Sequence, residues 1–62
     1  MDMAIEIEGG SYETKDGYSV LAESITFHLD RLYTLKKKVE KQFGYKTKIV
    51  SMPTGQFAVA IK

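Results

Sequence analysis

The chain has 62 residues, a formal net charge of +1, 44% apolar residues and no cysteine. This length suits one small domain, residues 1–62, and a domain of this size buries only about 60% of the surface that its unfolded chain exposes. Disulfides and thiolate metal sites are excluded, and one histidine does not supply a structural zinc site. Self-association or unusually good packing is therefore the expected source of stability.

Charge is distributed unevenly along the chain. Residues 1–30 contain seven acidic residues and one basic residue, whereas residues 31–62 contain eight basic residues and one acidic residue. This asymmetry has three interpretations. The two halves face each other within the fold, the basic half faces the acidic half of a second copy, or the basic half faces a polyanion.

The composition also bears on localisation. No apolar run approaches the length of a membrane span. The first residues lack the basic and apolar regions of a signal peptide. We therefore expect a cytoplasmic protein.

The first predicted element is a strand over residues 3–8, where apolar and polar residues alternate. The side chains expected to face the core are Met3, Ile5 and Ile7. Gly9 and Gly10 end this strand, and Asp16-Gly17 marks a turn in the polar connection that follows. A short hairpin in this connection, extending the first strand, is the alternative to an irregular loop.

Residues 19–43 are predicted to form one long amphipathic helix, because apolar residues recur at helical spacing on one face. The residues of this face are Leu21, Ile25, His28, Leu29, Leu32, Leu35, Val39 and Phe43. Ser19 suits the N-cap position, and Gly44 suits the left-handed position that ends a helix. Lysines concentrate near the predicted C-terminus, where they complement the helix dipole.

Two more strands follow the helix, over residues 45–52 and 56–62, joined by a turn at Met52–Gly55. In the last strand Phe57, Val59 and Ile61 are expected to face the helix, and Ala58 and Ala60 to face away. The predicted fold is α+β, with a three-stranded sheet in β-α-β-β order and one long helix on one face. The expected strand order is 1-3-2, a split βαβ arrangement.

A mismatch of lengths then predicts a homodimer. A helix of 25 residues is about 37 Å long, whereas strands of six to eight residues reach about 20–26 Å. Part of the apolar face would extend beyond the sheet and would need a second copy to cover it. Including Phe27, which points away from the main apolar face, the predicted interface residues are Phe27, Leu32, Leu35 and Val39.

The sequence shows no catalytic constellation. His28 lies on the apolar face of the predicted helix and is interpreted as a half-buried core residue rather than a metal ligand or a pH-sensitive contact. Glu6 and Glu8 are interpreted as a solvated strand face. We therefore predict no catalytic, cofactor-binding or metal site, and expect a non-enzymatic protein-interaction module, acting as an adaptor or inhibitor of a larger protein.

The alternative function is weak, sequence-independent binding of nucleic acid through lysines of the C-terminal half. The candidate residues are Lys36, Lys37, Lys38, Lys41, Lys46 and Lys48. The small side chains expected on the outer face of the sheet, Ala58 and Ala60, offer no platform on which bases stack. Any such binding is therefore expected to depend on phosphate contacts and to be sensitive to salt.

Overall fold

Five short strands and one α-helix make up the fold in the computed structural model, which describes residues 2–62. The elements in chain order are β1 (Ile5–Glu6), β2 (Tyr12–Glu13), β3 (Ser19–Val20), α1 (Leu29–Phe43), β4 (Thr47–Ser51) and β5 (Phe57–Ile61). Short 3-10 turns lie at Glu8–Gly10 and Ala22–Ser24. The predicted α+β class is confirmed, whereas the predicted three-stranded sheet is wrong.

The strands form one sheet in the order β1-β2-β3-β5-β4, and each strand is antiparallel to its neighbours. The hairpin between β4 and β5 turns at Met52, whose amide donates to the carbonyl of Gln56 at 2.8 Å, as predicted. A second hairpin, between β2 and β3, turns at Asp16-Gly17. Strand β5 lies between β3 and β4. The predicted order 1-3-2 is therefore wrong, because it placed the first strand of the chain beside the last one.

Residues 2–4 close the sheet on itself. The amide of Ala4 donates to the carbonyl of Ser51 at 2.7 Å, and the amide of Ser51 donates to the carbonyl of Asp2 at 2.8 Å. These parallel bonds join the segment that leads into β1 to the end of β4, the other edge strand. The result is a small barrel with little exposed strand edge, an arrangement that disfavours strand-to-strand aggregation.

The helix begins at Leu29 rather than at Ser19, because residues 19–26 run along β5 instead. Val20 pairs with Ala60 in β5. Thr26 and Phe57 exchange two backbone hydrogen bonds, of 2.8 and 2.9 Å. These bonds satisfy the edge of β5 that faces away from β4, which helix formation would leave unpaired inside the fold.

Ser24 holds residues 19–26 against β5 at the 3-10 turn, where regular strand pairing is interrupted. Its side-chain oxygen is buried, accepts from the amide of Val59 at 2.8 Å and donates to the carbonyl of Leu21 at 2.6 Å. A serine hydroxyl therefore substitutes for a backbone acceptor beside β5. The β-branched residues of the segment, such as Val20 and Thr26, are weak helix formers and suit this extended path.

The inner face of the barrel is lined by small and medium-sized apolar residues. Its buried members are Ala4, Val50, Met52, Ala58 and Ala60, with Tyr12, Tyr18, Val20 and Ile25 packed against them. The prediction that the two alanines of the last strand face solvent is wrong, because β1, β2 and β3 curl over them and leave both fully buried.

The register of β1 is also opposite to the predicted one. The interior accepts Ala4, and the alternation of side chains then directs Met3, Ile5 and Ile7 outward. They are 58%, 48% and 38% exposed. A one-residue slip would push these larger side chains into an interior already filled by close-packed neighbours, at a cost of about 1–3 kcal/mol or more.

The outer face of β4 and β5 is covered by α1. Val59 alternates with the two inner alanines and is fully buried on this face, while the helix contributes the buried residues Leu32 and Val39. A helix of 15 residues is about 22 Å long, and a five-residue strand spans about 17 Å. The helix therefore exceeds the strands by about 5 Å, much less than the overhang that predicts a dimer through the helix.

The accessible surface area of the chain also indicates that a single copy covers most of its core. It measures 4269 Å², and a compact monomer of 7.0 kDa is expected to expose about 4,000 Å². The chain thus covers its core largely by itself. The predicted end of the helix is confirmed: Gly44 has a φ of 71° and its amide donates to the carbonyl of Glu40 at 3.0 Å.

Replacement of Ser24 tests the path of residues 19–26. Ser24→Ala leaves the buried amide of Val59 without its acceptor, so we expect the free energy of unfolding to fall by about 1–3 kcal/mol. Ser19→Ala is the matched control, because Ser19 is exposed and pairs through its backbone; a change within about 0.5 kcal/mol is expected. The measurement is urea unfolding followed by circular dichroism.

If the helix began at Ser19, the relative effects of the two substitutions on stability would be reversed. Ser19→Ala would then remove an N-cap and cost about 1 kcal/mol, whereas Ser24→Ala would be neutral or stabilising because alanine favours helices.

Candidate functional site

An open apolar groove runs beside the C-terminal half of α1 and has a volume of about 510 Å³. The apolar residues that line it are Leu21, Leu35, Val39, Phe43, Tyr45 and Ile61, and the polar ones are Glu23, Lys38 and Gln42. The volume falls in the range of sites that hold small molecules or a few side chains of a partner. The residues come from three separate parts of the chain.

The fold brings these parts together in a simple way. Leu35, Val39 and Phe43 are spaced by four residues and therefore share one side of α1. Leu21 reaches the groove because β3, directly before it, pairs with β5, which ends at Ile61. The groove thus depends on the same strand pairing that shortens the helix.

Two aromatic side chains form the most exposed part of the groove. Phe43 is 64% exposed and Tyr45 is 45% exposed. Their rings stack with centroids 5.8 Å apart and an interplanar angle of 22°. The left-handed turn at Gly44 directs Tyr45 back onto the last turn of the helix, a contact that commonly accompanies such a helix end. Exposed rings held in this way suit contact with a partner, because little conformational entropy is lost when they are covered.

The lysines next to the groove differ in their surroundings. Lys36 forms an ion pair with Glu40 at 2.8 Å, and the hydroxyl of Thr47 also donates to Glu40. Lys36, and secondarily Thr47, lower the pKa of the Glu40 carboxyl below its ordinary value. Four other lysines are exposed and make no ion pair within residues 2–62: Lys37, Lys38, Lys41 and Lys46.

Lys48 occupies a different place from these lysines. Its amine pairs with both carboxyl oxygens of Asp16, at 2.8 and 2.9 Å, and with Asp2. It also lies 4.4 Å from the centroid of the Tyr18 ring, in the geometry of a cation–π contact. Lys48, from the basic half of the chain, thus pairs with two carboxylates of the acidic half within the fold, as the first interpretation of the charge asymmetry predicts.

This ion-pair cluster ties together three segments at one end of the barrel: residue 2, the turn before β3, and β4. Lys62 supports it by donating to the backbone carbonyl of Asp16 at 2.9 Å. The bond from Lys48, followed by the bond from Thr14 at 2.5 Å, lowers the pKa of Asp16 from its ordinary 3.8 to about 2.

The predicted interface residues are dispersed by the structure. Leu32 and Val39 are buried in the contact between α1 and the sheet. Leu35 is half-buried in the groove, and Phe27 is 66% exposed just before α1, outside the groove. The predicted interface did not include Phe43 and Tyr45, although two aromatic residues on either side of a helix-ending glycine were a readable signal.

Among residues 2–62, no three His, Cys, Asp or Glu side chains are placed to hold a metal ion. His28 directly precedes α1 and is exposed, so the prediction that it is half-buried in the core is wrong. No helix in the described part of the chain has the length and apolarity needed to cross a bilayer.

Comparison of the chain with models of known protein families, with curated proteins and with solved structures gave no significant match.

Acid titration of stability tests the ion-pair cluster. The folded-state pKa of Asp16 is lowered, so its contribution is fully present above about pH 4, the pKa of an unfolded aspartate, and is lost as the pH falls toward 2. We expect Asp16→Asn to lower the unfolding midpoint at pH 7 and to flatten its decline between pH 4 and pH 2. The measurement is thermal unfolding at pH 7, 4, 3 and 2.

Glu8→Gln is the control, because Glu8 is exposed and makes no ion pair among residues 2–62. If Asp16→Asn and Glu8→Gln gave the same pH profile as the unaltered protein, the ion-pair cluster would contribute nothing to stability.

Proposed function

We propose that this chain is a cytoplasmic, non-enzymatic protein-interaction module that binds an apolar, acidic segment of a larger protein in the groove beside α1, acting as its adaptor or inhibitor. The observation that carries the proposal is the groove itself: six apolar residues and Lys38, which makes no ion pair within residues 2–62, line an open volume of about 510 Å³. Three further considerations support it.

The first consideration is the chemistry of the exposed residues. Binding energy at protein interfaces concentrates in a few aromatic and large apolar side chains that become fully covered. Phe43 and Tyr45 fit this description, since both are largely exposed and held against each other. The half-buried Leu35 and Leu21 beneath them would supply a dry floor for an inserted side chain.

The second consideration is charge. Lys38 lines the groove and, like Lys37 and Lys41 in the same turns of α1, makes no ion pair in the described chain. Helical spacing places Lys41 and Lys37 farther than Lys38 from the groove. Acidic residues flanking the apolar anchor of a partner would complement them and speed its approach. Glu23, on the opposite side of the groove, would exclude a segment that is acidic along its whole length.

The third consideration is stability. The chain covers its core without a second copy, so an exposed groove of this kind is not needed for folding. Large apolar side chains left in contact with solvent at one place commonly mark an interaction surface.

A second candidate function, binding of single-stranded nucleic acid, is favoured by one specific observation. The stacked pair Phe43 and Tyr45 is within two residues of the exposed Lys41 and Lys46 in the sequence, and bases stack on exposed aromatic rings while lysines contact phosphates. We rank it second because the groove is mainly apolar and contains an acidic residue, Glu23.

A peptide-display selection tests the proposal. Random 12-residue peptides are selected on the full chain and counter-selected on the Phe43→Ser/Tyr45→Ser variant, which keeps its core because both residues are exposed. We expect enrichment of peptides that combine one or two large apolar residues with Asp or Glu. The best peptide should bind the variant at least about ten-fold more weakly, as loss of a binding hot spot predicts.

The control variant is Phe27→Ser, which removes an equally exposed aromatic residue outside the groove and should change peptide affinity by less than two-fold. Absence of enrichment, or equal loss in both variants, would reject the groove as a protein-binding site. A single-stranded 15-mer of thymidylate, tested at about 50 and 200 mM salt, decides the second candidate: binding that the groove variant abolishes, without peptide binding, would establish it instead.

A further inference from the structure

A second apolar surface lies outside the groove, on the extended segment that contains β1. Met3, Ile5 and Ile7 alternate along one strand, so they point to the same side, and all three are substantially exposed. We call these three residues the N-terminal apolar row. The helix packs on β4 and β5, and each residue of the row keeps between 38% and 58% of its surface exposed.

Two of these residues, Met3 and Ile5, line a hollow of about 610 Å³ together with Asp2, Lys15 and Asp16. The charges at this hollow are of both signs. Asp2 and Asp16 both pair with Lys48, so these three residues together retain one negative charge. Lys15 makes no ion pair with any residue from 2 to 62.

Glu13 lies on the same surface as Lys15. It is directly opposite Ile5 in the pairing of β1 with β2, so the two side chains share one face of the sheet. Glu13, like Lys15, has no ion-pair partner in the described chain. The row is therefore flanked by one unpaired acid and one unpaired base, two residues apart.

We infer that the N-terminal apolar row is a self-association surface whose partner is a second copy of this chain. A two-fold contact places the same surface on both sides, so the surface has to be complementary to itself. One acid and one base meet this condition: Glu13 of one copy faces Lys15 of the other, twice in each dimer. An anionic membrane or a nucleic acid finds no net positive charge here, and a uniformly acidic or basic partner is repelled by one of the two residues.

The contact is expected to be weak. A stable dimer buries about 800 Å² on each partner, which is close to a fifth of the 4269 Å² that this chain exposes. Three side chains and two ion pairs supply only part of such an area. Dimerisation is therefore expected at high micromolar concentration, and it uses none of the residues that line the groove.

Sedimentation equilibrium from about 10 μM to 1 mM tests the inference. We expect the mean mass to rise from 7.0 kDa toward twice that value, and Ile5→Ser/Ile7→Ser to raise the dissociation constant at least ten-fold. Glu13→Lys and Lys15→Glu should each weaken association, because each creates two like-charge contacts. The combined charge exchange Glu13→Lys/Lys15→Glu should restore it, an outcome that a partner other than a second copy does not produce.

Two controls keep the outcomes distinct. Phe27→Ser should leave association unchanged, and circular dichroism of every variant should match that of the unaltered chain, since all substituted residues are exposed or half-exposed. A monomer at every concentration overturns the inference, as does a dimer that withstands Ile5→Ser/Ile7→Ser. Binding of phosphatidylcholine vesicles by the unaltered monomer, lost in the same variant, would assign the row to a lipid surface instead.

Discussion

The pairing of residues 19–26 with β5 is the interaction on which the rest of this fold depends. Two hydrogen bonds between Thr26 and Phe57, the ladder at Ser19–Val20 and the buried hydroxyl of Ser24 satisfy one whole edge of the central strand. Because these residues are used as an edge strand, the helix is limited to Leu29–Phe43. The same pairing draws β1 and β2 over the inner face, where residues 2–4 then reach β4 and close the barrel.

This closure determines which surfaces remain open. The inner face is filled by small side chains, so Ala4 enters and the larger residues on either side of it are turned outward. On the other side, α1 covers β4 and β5 but leaves its last turns beside the end of β5, where Leu21 and Ile61 form part of the groove. The two proposed contact surfaces therefore follow from one packing arrangement, and because they share no residue, a dimer would present two grooves.

Local signals in the sequence predicted local structure well. Gly44 ends the helix, Met52–Gly55 turns the last hairpin, and Asp16-Gly17 turns an earlier one, because each depends on only a few neighbouring residues. The helix start was predicted wrongly because Leu21 and Ile25 also fit helical spacing. Residues 19–26 instead hydrogen-bond to the edge of β5, which is distant in the sequence and would otherwise be unpaired.

The candidate sites were less predictable for a similar reason. Which side of β1 faces inward depends on the volume inside the barrel, and a pattern of alternating residues does not specify that volume. Lys48 was grouped with the other lysines, although its side chain pairs with Asp2 and Asp16, which are far away in sequence. The groove depends on contact between Leu21 and residues about 20 to 40 positions later, and no local pattern indicates that contact.

The most direct test of the central pairing is a nuclear Overhauser measurement between strands. Val20 and Ala60 form a pair between hydrogen-bonded neighbours, and in antiparallel sheets the Cα atoms of such pairs lie about 4.5 Å apart. The account predicts a strong contact between their α-protons, with helical carbon shifts that begin at Leu29. Helical shifts and sequential amide contacts running without interruption from Ser19 to Phe43, with no Val20–Ala60 contact, would contradict it.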